Sequence, residues 1–554
     1  MTDEHDSAVN VRRAREGKAK PGATTRPSPE ARATEASGES FPVVGGSRSG
    51  RVHAVNAGEL PVQETLGEPV SPAAVRAAVV AMKSGNADGA KGGRKANPSS
   101  EGDREVTSPR VPPNADKQGE EDLWQRYGAE RGIWSEKMLA ALEKGVKGSR
   151  WFSLIDKVDR ADTLVTAWAK VQSNAGACGV DGITVERFAK DSQSRLLAVR
   201  EHLMRGTYQP KPVRRVWIPK AGSPQKRPLG IPTVADRVVQ GALRMVVEPI
   251  FEREFAPHSY GFRPGRSCHD ALRRVDALLK SGCTDVVDID IKGYFDAIPH
   301  EHLMAKVGER IADSRVLELI ERFLKAGVME GSERWEAEMG APQGAVISPL
   351  LANVYLNPLD WLLATAGFEA VRYADDLIVL CRDGQSAQRA MSMIEGWMKE
   401  AGLELNRDKS RIVEMTNPGS HFDFLGYRFW RGKSGKIRRF VRPKSEKNLR
   451  GRLKPLTRRA NGKSMELILK EVNPILRGWY GYFKQVSAAS LRQVDQWMRS
   501  RLRAILRKRR KGRGRASTRD QLRWNNCYFK RLGLFCLEEA RAAELASLRQ
   551  GATC

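Results

Sequence analysis

The chain is short of acidic charge, of paired cysteines and of long apolar runs. Its cysteines, Cys178, Cys268, Cys283, Cys381, Cys527, Cys536 and Cys554, are scattered, odd in number, and contain no Cys-x-x-Cys pair. That pattern argues against a disulfide framework and a zinc ribbon, and a reducing, cytoplasmic setting is expected. No run of about 18 apolar residues occurs, so no membrane span is expected. Met1-Thr2-Asp3-Glu4-His5-Asp6 lacks the basic-then-apolar order of a secretory signal. Asp and Glu total 66 against 94 Lys and Arg, a formal net charge of +28. Such a deficit of acid points to a polyanionic partner, although charge alone does not separate RNA, DNA and an anionic membrane. Aromatics are scarce at one end: Phe41 is the only Phe, Trp or Tyr before Trp124. Residues 1–118 bury too little apolar surface to offset chain entropy and are expected to be disordered, apart from a short helix from Ser71 to Met82.

What the chain does contain is acid in unusual places. Tyr373-Ala374-Asp375-Asp376 interrupts an apolar stretch, with Ala370 and Val371 before it and Leu377-Ile378-Val379-Leu380 after it. The pattern predicts strand, tight turn, strand. Two adjacent carboxylates in a buried sheet are costly unless a cation is near, and hard divalent ions favour oxygen ligands. Upstream, Thr284 to Ile291 alternates, with Val287, Ile289 and Ile291 on one face and Asp288 and Asp290 on the other. If that strand pairs with the hairpin, Asp290 meets Asp375 and Asp376. Three carboxylates at one point make a two-metal site for in-line phosphoryl transfer, with two Mg²⁺ ions about 3.5–4 Å apart. Asp288 is expected outside the ligand set. An Asp-Asp pair alone is more often a solvated turn or a helix cap; the ordered segments around it set that reading aside.

The ordered series resembles a group II intron reverse transcriptase/maturase. Tyr373-Ala374-Asp375-Asp376 is similar to the catalytic hairpin of reverse transcriptases. Asp290-Ile291-Lys292-Gly293-Tyr294-Phe295-Asp296 resembles the family's first metal-binding segment. Gly340-Ala341-Pro342-Gln343-Gly344 with Ile347-Ser348-Pro349-Leu350-Leu351-Ala352-Asn353 resembles the segment under the template–nucleotide pair. Leu403-Glu404-Leu405-Asn406 with Lys409-Ser410, and Phe424-Leu425-Gly426-Tyr427, resemble the two segments that follow the hairpin. The likeness runs from about Trp151 to Phe535. It implies an α+β right-hand polymerase, with fingers, an antiparallel palm sheet backed by helices, and an α-helical thumb or maturase domain. It implies metal ligation by Asp290, Asp375 and Asp376, with Ile291 beside them. It implies nucleotide contacts from Lys220, Arg227, Phe295, Gln343 and Gly344. Lys220 competes with Lys226 for the triphosphate, and both Lys220 and Arg227 also fit an exposed loop that meets the template backbone. Phe295 suits an aromatic wall beneath the sugar and equally a core position.

Basic segments complete the picture. Ser259-Tyr260-Gly261-Phe262-Arg263-Pro264-Gly265-Arg266-Ser267 mixes aromatics with Arg, so Arg263 and Arg266 are candidate RNA contacts. Ten Lys and Arg from Lys433 to Lys454, Arg438 and Arg439 among them, face one acid, Glu446. Arg477 opens an aromatic-rich stretch, and Arg509 and Arg510 lie in an acid-free run from Arg507 to Arg515. These candidates are weighed against helix core for Trp479 and Tyr482 and a solvated tail for the Arg run. Asp236, Arg237 and Gln240 suit either a structural or a template-facing role.

The expected organisation is a disordered arm (1–118), an N-terminal extension (119–200), fingers (201–285), palm (286–430), thumb or maturase domain (431–516) and a short C-terminal segment (517–554). Expected partners are structured intron RNA, a DNA target or primer, and dNTPs, in a bacterial cell and near the nucleoid when DNA is the substrate. A C-terminal His-Asn-His endonuclease is not expected, because the last His is His421. A non-catalytic splicing cofactor and a reverse transcriptase unlinked to any intron are the competing expectations.

Overall fold

The structure, a computed structural model, describes residues 133–219, 226–512 and 517–551. The expected arm, its Ser71–Met82 helix and Lys220 lie outside the described residues. The apolar spacing from Trp151 to Trp168 predicts one continuous helix. Two form instead, Ile155–Val158 and Ala161–Asn174. They are separated at Asp159 and Arg160, and the first is anchored at its start, where Leu154 N and Ile155 N both donate to Asp313 Oδ2, at 2.6 and 2.9 Å.

The helix Val234–Glu252 is buried over most of its length and packs against Ala161–Asn174. Thr233 caps it by accepting from Asp236 N. The buried Asp236 carboxylate accepts from Tyr208 Oη at 2.8 Å and Thr233 Oγ1 at 2.6 Å, and burial raises its pKa. Gln240 accepts from Val346 N at 2.7 Å, and Arg237 donates to the carbonyl oxygens of Pro232, Ala175 and Ala177. All three residues are therefore structural.

The first sheet contains β1 (Val213–Pro219) and β2 (Lys226–Ile231), an antiparallel hairpin. β1 also pairs in parallel with β4 (Val328–Glu330), which pairs with β5 (Glu333–Trp335). Strands from the expected palm range thus extend the fingers sheet. The second sheet has the order β6-β7-β3-β8, from β6 (Glu369–Tyr373), β7 (Asp376–Cys381), β3 (Asp285–Ile289) and β8 (Arg411–Glu414), all antiparallel. Its period-two alternation serves two cores. Val287, Ile289, Leu377 and Val379 join the core of the fingers and palm helices. Val286, Ile378 and Leu380 join a second core shared with the helix Cys268–Lys280 and the C-terminal helices.

The third sheet, β11-β10-β9, runs from β9 (His421–Phe424) through β10 (Tyr427–Arg431) to β11 (Ile437–Val441). The boundary expected at 430/431 cuts through it, and the boundary expected at 285/286 separates Cys268–Lys280 from the sheet it covers. Both are corrected by packing, since alternate faces of one sheet bind different layers. The C-terminal region adds long helices at Pro443–Leu456, Met465–Phe483 and Ala488–Arg509. The helix Leu537–Gly551 packs on the last of these, and Asp495 accepts from Leu537 N and Glu538 N. The thumb unit therefore continues beyond 516. Among the described residues, no helix is long and apolar enough to cross a membrane.

One fully buried ion pair holds the palm sheet to its backing helix. Arg372 Nε on β6 donates to Asp360 Oδ1 at 2.8 Å, from within the helix Ser348–Thr365. Their side chains are 1% and 0% exposed. Removing one partner leaves an uncompensated buried charge. Arg372→Ala is expected to lower the unfolding free energy by about 3–5 kcal/mol, read as a fall in the urea midpoint. Arg274→Ala removes the solvent-exposed Arg274–Glu369 pair on the same strand and is expected to cost under about 1 kcal/mol.

Candidate active site and nucleic-acid interface

The catalytic candidates sit where β3, β6 and β7 end. Tyr373 pairs with Asp376, so Ala374 and Asp375 form a two-residue turn. Ala374 has φ +59°, a left-handed conformation that costs a non-glycine residue about 1–3 kcal/mol. Arg372 Nη1 offsets that strain by donating to Ala374 O at 2.8 Å, and it also donates to Asn353 Oδ1 at 2.9 Å. Asn353 Nδ2 in turn donates to Gly261 O at 2.8 Å. The Gly261 backbone lies flat against the turn, and a Cβ there would collide with Ala374 N.

The register Ile289↔Leu377 directs the next residue, Asp290, towards Asp376. Asp376 is open to solvent yet flanked closely by protein, as befits the floor of a cleft. Its pKa is pushed up to about 7, first by burial and then by Asp375, Asp290 and Asp288. Burial raises that of Asp375 against the opposing pull of a backbone hydrogen bond, with lesser effects of Asp290 upward and Arg372 downward. Burial raises Asp288 to about 6, although Arg411 opposes it from 3.9 Å. The acids thus repel one another across the cleft. They do not stand as a closed cage: among the described residues, no three His, Cys, Asp or Glu side chains are gathered to hold a metal. Asp290 is turned to Lys409 instead, with Oδ2 2.8 Å from Nζ. The Ile291 side chain is buried, so only its main chain can face the cleft.

A second set of candidates meets along one loop. Ala341 N donates to Phe295 O, and Gly230 N donates to Gln343 O, each at 2.7 Å. The segment 340–344 thereby links the half-buried Phe295 to β2, whose exposed Arg227 lies three residues before Gly230. Gly344 has φ +112°, and a Cβ on it would lie 2.5 Å from Gly230 O. Phe295 packs edge-on to Phe262, with centroids 6.5 Å apart.

The basic candidates divide. Arg263 is buried, and its guanidinium is committed to the Glu252 carboxylate and to the carbonyls of Ala256 and Ser259. The expectation that it contacts RNA is corrected: it staples the loop that carries Gly261. Arg266 is half-buried, donates to Pro257 O and lies over the Tyr260 ring. On the thumb, Arg438, Arg477, Arg509 and Arg510 are exposed, while Arg439 is half-buried and donates to Gln485 Oε1 at 2.8 Å. Arg477 stacks over Phe535, and Arg509 donates to Lys463 O.

Sequence reasoning gave no role to Arg372, Asn353, Gly261 or Lys409. An Arg inside an apolar strand, one residue before the acidic tetrapeptide, was the available signal for a buried acid partner.

An antiparallel palm sheet bearing acids at a hairpin, under a fingers hairpin and beside a helical thumb, defines a polymerase of the reverse transcriptase class. Residues 218–429 match the model of the reverse transcriptase (RNA-dependent DNA polymerase) family, and residues 446–524 match the group II intron, maturase-specific domain. The chain is 37% identical over 326 residues to Protein YkfC of Escherichia coli strain K12, covering 51% of this chain and 84% of that protein. It is 41% identical over 201 residues to the group II intron-encoded protein LtrA of Lactococcus lactis subsp. cremoris, covering 36% of this chain and a smaller share, 33%, of that protein. A solved partial Cas6-RT-Cas1–Cas2 complex aligns at 27% identity with a TM-score of 0.30, covering 45% of this chain and 41% of that one. The chain belongs to the group II intron reverse transcriptase/maturase family.

Gly261→Ala is expected to displace the Ala374–Asp375 turn. Misplacement of about 1 Å can cost roughly 100-fold in rate. A fall of that order in primer extension is expected, with the far-ultraviolet circular dichroism unchanged.

Proposed function

We propose that the chain is an RNA-directed DNA polymerase that extends a DNA primer along its intron RNA, and that its thumb holds the folded intron for splicing. The observation that carries this reading is the sheet register that brings Asp290 level with Asp376, beside Asp375 in the hairpin turn, where burial and neighbouring acid raise both Asp375 and Asp376. Carboxylates that destabilise one another in this way are relieved by a divalent cation, and an all-oxygen donor set suits Mg²⁺. Asp290, Asp375 and Asp376 would hold two ions, with main-chain oxygen from Ile291, once Asp290 leaves Lys409. Bound there, the metal supplies Lewis-acid stabilisation of the attacking and leaving oxygens of an in-line displacement.

The remaining groups bind and orient. Arg227 offers a planar fork to the triphosphate of an incoming dNTP, and Lys220 supplies a second cation for it. Gln343 and Gly344 bring backbone against the nascent base pair, where the absent Cβ permits close approach. Phe295 lies under the sugar and keeps out a 2′-hydroxyl. Arg438, Arg439, Arg477, Arg509 and Arg510 track the phosphates of folded intron RNA, with Arg266 nearer the template. Recognition of that RNA rests mainly on shape and backbone contacts.

Asp375→Asn is expected to abolish cDNA synthesis in a Mg²⁺-dependent primer-extension assay and to leave binding of the intron RNA within about twofold of the unaltered chain. Normal polymerisation by Asp375→Asn would sink the metal-site assignment. Proton linkage gives a further outcome. Asp376 ionises only near pH 7 in the metal-free protein, so below that value a proton must leave before an ion binds. The apparent Mg²⁺ affinity, measured by titration, is expected to weaken by up to about tenfold per pH unit as pH falls from 7 to 5.

A further inference from the structure

Phe262 is exposed where its neighbours are buried. On one side, Gly261 is pressed on the hairpin turn, and its carbonyl accepts from Asn353 Nδ2. On the other, the Arg263 guanidinium is committed to Glu252. The chain leading in is tied to β6, where Tyr260 N donates to Arg372 O at 2.8 Å and Arg372 N donates to His258 O at 3.0 Å. Fastened on both sides, residue 262 takes φ +59°, a left-handed conformation that a bulky side chain rarely adopts. A glycine would be at ease there. The chain carries instead a phenylalanine that is 42% exposed and gains little from burial. Strained backbone persists where the surroundings over-determine it, and such positions cluster at functional sites.

The Phe262 ring meets Phe295, edge-on at 76°, with centroids 6.5 Å apart. Phe295 is otherwise placed by the palm. Its carbonyl accepts from Ala341 N, and its ring meets Tyr294 edge-on at 5.5 Å. Tyr294 is buried and donates its hydroxyl to Ala352 O at 2.5 Å. The palm thus fixes the Phe295 main chain and gives its ring one aromatic neighbour. Phe262 gives it a second, from a different segment.

We propose that Phe262 is a positioning residue for sugar discrimination: its ring braces Phe295 in the orientation that leaves no room for a 2′-hydroxyl. The inference rests on the reading of Phe295 as the wall beneath the sugar. Phe262 acts through Phe295, so its loss is felt in the choice between ribonucleotide and deoxynucleotide. A merely structural role would slow both nucleotides alike. The ring is the informative group, because the backbone conformation is set by Gly261 and Arg263.

The test is primer extension by the full chain on an RNA template annealed to a DNA primer, with kcat/KM measured for one dNTP and for the rNTP of the same base. Phe262→Ala is expected to lower the dNTP-to-rNTP ratio about three- to tenfold, by raising kcat/KM for the rNTP. Phe262→Gly also lacks the ring but relieves the left-handed backbone. Its melting temperature is expected above that of Phe262→Ala, and its ratio is expected to fall equally. Phe262→Tyr keeps the ring and is expected to hold the ratio within about twofold of the unaltered chain. In the Phe295→Ala background, Phe262→Ala is expected to lower the ratio by less than about twofold further, because the two side chains act as one unit. An unchanged ratio in Phe262→Ala, while Phe295→Ala lowers it, overturns the proposal. So does a fall in Phe262→Ala that is absent from Phe262→Gly, or a full additional fall in the double variant. If Phe295→Ala leaves the ratio unchanged, the sugar-wall reading fails, and this inference with it. If the unaltered chain makes no cDNA, the polymerase reading fails as a whole, so the three failures are distinguished.

Discussion

A single arginine inside the palm sheet ties the chemistry to the scaffold. Arg372 neutralises Asp360 in the dry interior and, with its remaining donor, holds the carbonyl of Ala374 at the hairpin turn. Buried ion pairs are weak sources of stability and strong sources of geometry, because few arrangements satisfy both charges away from water. Here the geometry matters most. The turn contains a left-handed alanine, and the fork of Arg372, the amide of Asn353 and the bare backbone of Gly261 leave it no other place to go. Arg263, by fastening the Gly261 loop to Glu252, extends the same constraint outward.

The cleft gathers acids that burial makes costly to ionise. Asp375 and Asp376 are raised by burial and by their acidic neighbours, so in the ligand-free protein they lie closer to neutrality than ordinary carboxylates. Lys409 pairs with Asp290. An ammonium is a point charge on a flexible stem, so the pair is held by charge rather than by a fixed fork. The sheet register brings Asp290 near Asp376 without closing the acids into a cage.

Charge elsewhere follows a different logic. Several arginines of the fingers and palm are consumed by the protein: Arg263, Arg372 and Arg237 each serve carboxylates or carbonyls. Several of the thumb, such as Arg438 and Arg510, are exposed. The net charge of +28 is therefore an indicator of partner class only after the interior cations have been set aside. The thumb also shares its core with the palm sheet, through Val286, Ile378 and Leu380, so the basic surface and the cleft belong to one packed body.

Local chemistry made much of this legible beforehand. An acidic dipeptide between two apolar runs is a hairpin tip, and the observed hairpin agrees; the expected strand carries Asp288 but ends at Ile289, one residue before Asp290. Capping and turn residues announce themselves because their physics is confined to a few neighbours. Partnership across the chain is different. The same arginine composition describes Arg263, which is buried on Glu252, and Arg438, which faces water, because burial depends on what the rest of the chain lays over a residue. The domain limits near 285 and 430 fail for the same reason, since each cuts a layer that sheet pairing or face-to-face packing holds together. The sequence by itself determined the hairpin, its acids and the family; only the tertiary structure decided which cations support the site and which remain for a ligand, because long-range burial is a property of the assembled layers and not of any segment.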